Sequence, residues 1–158
     1  MQTRQRGFTL IEMAVTVAVV AVLAAIAAPV VQLSAQRARE AELRTALRQI
    51  REAIDTYKRY SDEGRIARAL DATGYPPTLE DLMKGVPDAK SPKGAKLYIL
   101  RRIPRDPLNP DLSLAADESW GLRSYASPAD DPHEGDDVFD VYSKAEGVGL
   151  DGIPYREW

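Results

Sequence analysis

The sequence predicts an α+β fold in which a long amino-terminal helix packs its second half on a small antiparallel sheet. Three observations predict it. Met13–Val31 is a run of 19 residues without a charge, close to the roughly 20 apolar residues that carry a helix across the hydrocarbon core of a bilayer. Leu43, Leu47, Ile50, Ile54 and Tyr57 then recur at spacings of four, three, four and three, the period of a helix with one apolar face. Beyond Gly64 the chain breaks into short β-prone runs separated by Gly, Pro, Asn and Asp. Strands grouped after helices are the pattern of an α+β domain.

Between Gly7 and Gln36 the only charge is Glu12. Arg4 and Arg6 precede the apolar run and Arg37 and Arg39 follow it, so the basic flanks leave its orientation undecided. Composition alone leaves two readings open. One is an ordinary secretory signal cut at Ala25-Ile26-Ala27, and the other is a retained anchor. Glu12 separates them, because a carboxylate at the centre of a membrane helix costs roughly 2.5–3.5 kcal/mol and is usually kept for a partner. An ordinary signal has no use for it. Pro29 lacks an N–H and clashes with the carbonyl of Ala25, so a kink or loosening is expected there.

The helix is expected to continue. Ala46 and Ala53 widen the apolar stripe, and Arg44, Arg48, Arg51, Asp55 and Lys58 take the other face. Glu40–Arg44 and Asp55–Arg59 have the spacing of favourable i,i+4 pairs, each contributing a few tenths of a kcal/mol. Neither Gly nor Pro occurs between Pro29 and Gly64. One helix from about Phe8 to Tyr60 follows, roughly 80 Å long at the usual rise per residue. The stripe lasts too few heptads for a coiled coil and is predicted to be the core contact of the soluble domain.

Gly64 is expected to end this helix, and Gly74, Pro76 and Pro77 mark a loop. Thr78-Leu79-Glu80-Asp81 reads as a helix start, with Thr78 capping and Asp81 reaching back. Leu79, Leu82 and Met83 form its apolar side, and Gly85 and Pro87 close it. The predicted strands are Leu97–Leu100, Trp120–Ser127 and Val138–Ser143, the last with the clearest alternation. Hairpin-length loops make the sheet antiparallel. A loop is expected from Ala145 to Trp158.

Several chemistries are excluded. The net charge of −3 implies no basic face for nucleic acid. Without Cys there is no disulfide and no thiolate site, and one His cannot build a zinc centre of several histidines. His133 lies in a polar loop and is expected to be exposed. Neither a phosphate-binding glycine loop nor a nucleophile elbow is present. No enzyme is expected.

The segment Arg6-Gly7-Phe8-Thr9-Leu10-Ile11-Glu12, running into the apolar stretch, resembles the processing site of the type IV pilin and type II secretion pseudopilin superfamily. Tyr75-Pro76, Ile103-Pro104-Arg105-Asp106-Pro107, Phe139-Asp140-Val141-Tyr142-Ser143 and the terminal Trp158 are similar to motifs of the major, G-type pseudopilin. The resemblance touches most of the chain, loosely between 85 and 96. It implies a type IV pilin-like fold. It also implies that residues 1–7 are a leader, cut by a prepilin peptidase after Gly7, and that Phe8 becomes the N-methylated terminus. Gly7 suits close approach by a protease. Glu12 is expected to pair with the amine of a neighbouring subunit and set axial register. Family members commonly carry Pro where Pro29 stands, and their helices can open near it.

By the same resemblance, 8–36 is a transmembrane and filament-core helix, 37–60 its amphipathic continuation and 61–158 a periplasmic globular domain. The implied function is a structural subunit of a periplasmic pseudopilus that drives protein export through the outer membrane. Self-assembly, minor pseudopilins, an inner-membrane assembly platform with its ATPase and the lipid bilayer are the implied partners. The implied location is the bacterial inner membrane, single-pass with the carboxy-terminal domain periplasmic. Arg101, Arg102 and Arg105 are expected to face neighbouring subunits or solvent, with no nucleic acid bound. One rival is a type IV pilin or minor pilin for motility, adhesion or DNA uptake. Another, of a different class, is a signal-bearing periplasmic binding protein or enzyme formed by residues 37–158.

Pseudopilins resembling this chain often bind calcium in an acidic loop after the last strand. Here the tail from Ala145 holds only Glu146, Asp151 and Glu157 as acids, whereas calcium takes about six to eight oxygen ligands. A second acidic run, Asp130, Asp131, Glu134, Asp136 and Asp137, lacks the EF-hand spacing. No cofactor is therefore expected, and Asp136, Asp137 and Asp151 remain as calcium candidates.

Overall fold

The computed structural model describes residues 8–158, with Ile26 and Ala28 described by their backbone alone. The expected leader at 1–7, with the cleavage residue Gly7, lies outside the described residues. Helix α1 spans Leu10–Asp62 and is unbroken at Pro29. The chain divides into two compact units, Met1–Ala38 and Arg39–Trp158.

In the first unit the helix is apolar all round, and an 18-residue window of it is long and apolar enough to cross a membrane. None of that window is buried within the subunit. A helix of this kind is stable only where lipid or other apolar helices surround it.

In the second unit the predicted stripe is the core. Leu43 and Ile50 are fully buried, Leu47 and Ile54 nearly so, and Ala46, Ala53 and Tyr57 complete the buried face. Packed with them are Ile66, Leu82, Ile103, Trp120, Val138 and Val141. Each fully buried aliphatic side chain contributes about 1.5–3 kcal/mol. Burial also raises the Tyr57 phenol above its ordinary pKa, with Asp81 adding to the effect.

Helix α2 is Leu79–Lys84. Its start is capped as the sequence predicts: the Thr78 N–H and hydroxyl donate to Asp81 Oδ2 at 3.1 and 2.9 Å. Leu79 and Leu82 are its buried side. Strand β1 (Val86–Pro87) pairs antiparallel with β2 (Lys96–Leu97), and β3 (Trp120–Arg123) with β4 (Asp140–Ser143). The register sets Gly121 opposite Tyr142. A Cβ at Gly121 would stand 2.3 Å from the Tyr142 ring, so only glycine fits beneath it.

The sheet differs from the expectation of three strands in one sheet; it is two separate two-stranded ladders. The reasons are local. Ile99 and Leu100 donate their N–H groups to the Leu82 carbonyl at 3.1 and 2.8 Å, one of the carbonyls a helix leaves free at its carboxyl end. Of the predicted Leu97–Leu100 strand only Leu97 therefore stays in a ladder. The Trp120–Ser127 run leaves its ladder after Arg123, because Ser124 N–H bonds the His133 carbonyl and Tyr125 N–H bonds Asp137 Oδ1. At the start of the Val138–Ser143 run, Val138 N–H turns to the Pro76 carbonyl at 2.8 Å. The tail is more ordered than the predicted loop, with a Val148–Pro154 bridge and a 3₁₀ turn at Tyr155–Glu157.

Replacing Ile50 by Ala should cost about 2–5 kcal/mol, the range for truncating a fully buried aliphatic side chain. Denaturant unfolding of the detergent-solubilised protein measures it. A loss below about 1 kcal/mol would mean that the stripe is not the core.

Candidate functional site

Two places carry the residues singled out by the sequence. The first is the start of α1. Thr9 occupies the cap, and Glu12 is the third residue of the helix. Glu12 N–H donates to Thr9 Oγ1 at 3.2 Å, while Thr9 N–H and hydroxyl donate to Glu12 Oε2 at 3.0 and 2.9 Å. This is a reciprocal capping box, which satisfies two of the helix's otherwise orphaned donors. An acid in the first turn also interacts favourably with the positive end of the helix dipole. Both donors go to Oε2, which leaves Oε1 without a hydrogen-bond partner among the described residues. Thr16 adds its hydroxyl to the Glu12 carbonyl. Phe8, just before the cap, is 83% exposed. The sequence reading missed this box, although Thr9-x-x-Glu12 ahead of an apolar run is its signature.

The second place is β4, where the soluble motifs converge. Pro76 is fully buried, and the Tyr75 ring meets Phe139 edge-on at 5.0 Å and stacks on Tyr125 at 5.7 Å. Asp106 is 1% exposed; its Oδ2 accepts the Ser143 hydroxyl at 2.6 Å and its Oδ1 the Leu108 N–H at 2.8 Å. Trp120 Nε1 donates to the Pro104 carbonyl at 2.8 Å. Buried polar groups need such partners, so the Pro104–Pro107 segment is a structural tie to β4.

The flank of α1 holds the tail. Glu40 is buried, and its Oε1 accepts the Leu150 N–H at 3.0 Å and the Tyr155 hydroxyl at 2.9 Å. Arg44 pairs with Asp151 at 2.6 Å and lies over the Trp158 ring. Arg51 donates to Asp140 Oδ1 at 2.7 Å and to the carbonyls of Val141 and Trp158 at 3.1 and 2.6 Å. Among the ion pairs of the described residues the expected Glu40–Arg44 and Asp55–Arg59 do not appear; Arg44 pairs with Asp151 of the tail, and Lys58 pairs with Asp62 at i,i+4 on the last turn of α1. A folded tail offers partners that helix spacing alone does not show.

Arg105 also departs from expectation. Its guanidinium donates to the Leu114 carbonyl at 2.6 Å and to the Asp111 carbonyl, folding into its own loop rather than facing outward. Hydrogen bonds from the Ser113 hydroxyl and N–H hold the Asp111 carboxyl below its ordinary pKa. Arg101 and Arg102 are exposed, as is His133, which contacts Asp131 at 2.9 Å.

The calcium candidates are not gathered. Asp137 is buried and spends Oδ1 on the Tyr125 N–H and Oδ2 on the Thr73 hydroxyl. Asp136 is an exposed neighbour of it, and Asp151 sits in the tail against Arg44. Among the described residues no three His, Asp or Glu side chains cluster to hold a metal.

Residues 2–28 match the family model described as the prokaryotic N-terminal methylation motif. Over 143 residues the chain is 34% identical to the type II secretion system core protein G of Pseudomonas aeruginosa, covering 87% of this chain and 93% of that protein. Its identity to the protein of the same name from Klebsiella pneumoniae is 29% over 141 residues, 85% of this chain and 93% of that one. For Dickeya chrysanthemi it is 27% over 144 residues and 87% of each. No solved structure matches the chain.

Thr9→Val removes both roles of the hydroxyl in the box and should cost the first turn about 1 kcal/mol. Amide exchange at Glu12 and Met13, whose N–H groups donate to Thr9, is then expected to quicken by about fivefold in micelles. Unchanged exchange would show that the box does not hold the helix start.

Proposed function

The chain belongs to the family of the type II secretion system core protein G, and from that premise we propose that it is a structural subunit of the secretion pseudopilus, acting by assembly and not by catalysis. The observation that carries this reading is the 34% identity across 93% of a core protein G, in a chain whose processing motif opens an exposed apolar helix. The same relatives favour a secretion subunit over a pilus subunit or a secreted binding protein.

The roles of single residues follow from the chemistry. A prepilin peptidase cuts after Gly7 and leaves an amine on Phe8, which is then methylated. Before assembly the helix lies in the inner membrane with its carboxy-terminal domain on the periplasmic side. There the capping box satisfies Oε2 of Glu12 and leaves Oε1 for a partner. The amine of a neighbouring Phe8 supplies it, and a buried charge that gains a partner recovers part of its desolvation cost. Pairing therefore favours assembly and fixes the axial step. Pro29 removes one backbone hydrogen bond from the apolar helix, which gives the filament core a place to adjust. Minor pseudopilins start the filament, and an assembly platform with its ATPase extends it.

Glu12→Ala should leave membrane insertion unchanged, because it removes a charge from an apolar helix. Filament formation, followed by chemical crosslinking through lysines and by export of a secreted protein, should be lost. Normal filaments from this variant would overturn the role of Glu12 in register.

A further inference from the structure

The segment after β4 is short of apolar mass. Gly147, Gly149 and Gly152 interrupt it, and Tyr155 is its one large buried side chain. A loop of this composition needs an external hold to stay ordered. In this chain the hold comes from α1. Glu40, Arg44 and Arg51 lie at spacings of four and seven, which places them along one side of the helix. Glu40 grips the middle of the loop, Arg44 its Asp151 and Arg51 the final carbonyl. The Trp158 ring closes the arrangement. It lies under Arg44, and it packs on Gly149 so closely that a Cβ there would stand 2.3 Å from it.

The Asp151 carboxylate and the Ile153 carbonyl, which could serve a cation, are already engaged. Asp151 gives Oδ2 to Arg44 and Oδ1 to the Ile153 N–H at 3.1 Å. The Ile153 carbonyl accepts the Gly149 N–H at 2.8 Å and Trp158 Nε1 at 3.2 Å. Glu146 and Glu157 are exposed. A divalent ion at this loop would also meet the fixed charge of Arg44 and Arg51, which repels it.

We propose that Glu40, Arg44 and Arg51 lock the carboxy-terminal loop to α1 in place of a structural calcium ion, so that the folded subunit is independent of divalent cations. This concerns the fold of the subunit and stands apart from its role in a filament.

Thermal unfolding of the full-length protein in detergent, followed by near-ultraviolet circular dichroism, tests it first with excess EGTA and then with millimolar calcium chloride. The expected result is the same midpoint in both, since an ion that does not bind the native state cannot raise it. Arg51→Gln, which removes charge-assisted bonds to three acceptors, should lower the midpoint by about 4 °C or more. It should also speed tryptic cleavage after Lys144, equally with and without calcium. Arg44→Gln, at a half-exposed position, supplies the same reading in milder form should Arg51→Gln fail to fold. A wild-type midpoint that climbs several degrees with calcium and falls with EGTA would overturn the proposal. So would an Arg44→Gln or Arg51→Gln protein whose loop is as protected as the wild type.

Discussion

Leu43, Leu47, Ile50 and Ile54 turn one face of α1 into the floor on which the rest of the Arg39–Trp158 unit packs. Everything else in that unit is placed by reference to this face. The two ladders hold only short strands, and a two-stranded ladder alone is marginal in water. The β3–β4 ladder persists because Trp120 and Val141 are buried in one core with the helix stripe, and Val86 and Leu97 of the β1–β2 ladder pack against that core. The polar flank of the same helix then fixes the tail through Glu40, Arg44 and Arg51. One element thus supplies both the apolar core and the ionic hold.

The amino-terminal part of α1 obeys the opposite rule. It presents apolar side chains in every direction, with one carboxylate near its start. Apolar surface on this scale needs lipid or like helices around it. The carboxylate needs donors wherever water is absent. Thr9 provides them from within the subunit to one oxygen, and in the proposed filament a neighbouring amine provides for the other. A protein whose exposed surface is completed by copies of itself needs no catalytic constellation.

Periodicity made much of this legible. The spacing of Leu43, Leu47, Ile50, Ile54 and Tyr57 marked the buried face residue by residue, and Thr78-x-x-Asp81 marked the start of α2. The strand bounds were not legible, because loop backbone competed for the donors: Leu82 took Ile99 and Leu100, and His133 took Ser124. Propensity says which residues suit a strand, not which carbonyl reaches them first. The capping box at Thr9 could have been read, since its pattern is local. The hold on the tail could not, since Glu40 meets Leu150 and Tyr155 across more than a hundred residues. Asp106 illustrates the same limit: its motif marked a loop, and only packing showed a buried carboxylate tied to Ser143.

The most direct measurement is the intact mass and amino-terminal residue of the mature protein, taken from membranes of its native host. A subunit of the pseudopilus should begin at Phe8 and be heavier by one methyl group, since cleavage there creates the amine that Glu12 is proposed to meet in the filament. A chain beginning near Ala28 would contradict this, because Glu12 and most of the apolar helix would then be absent from the working protein.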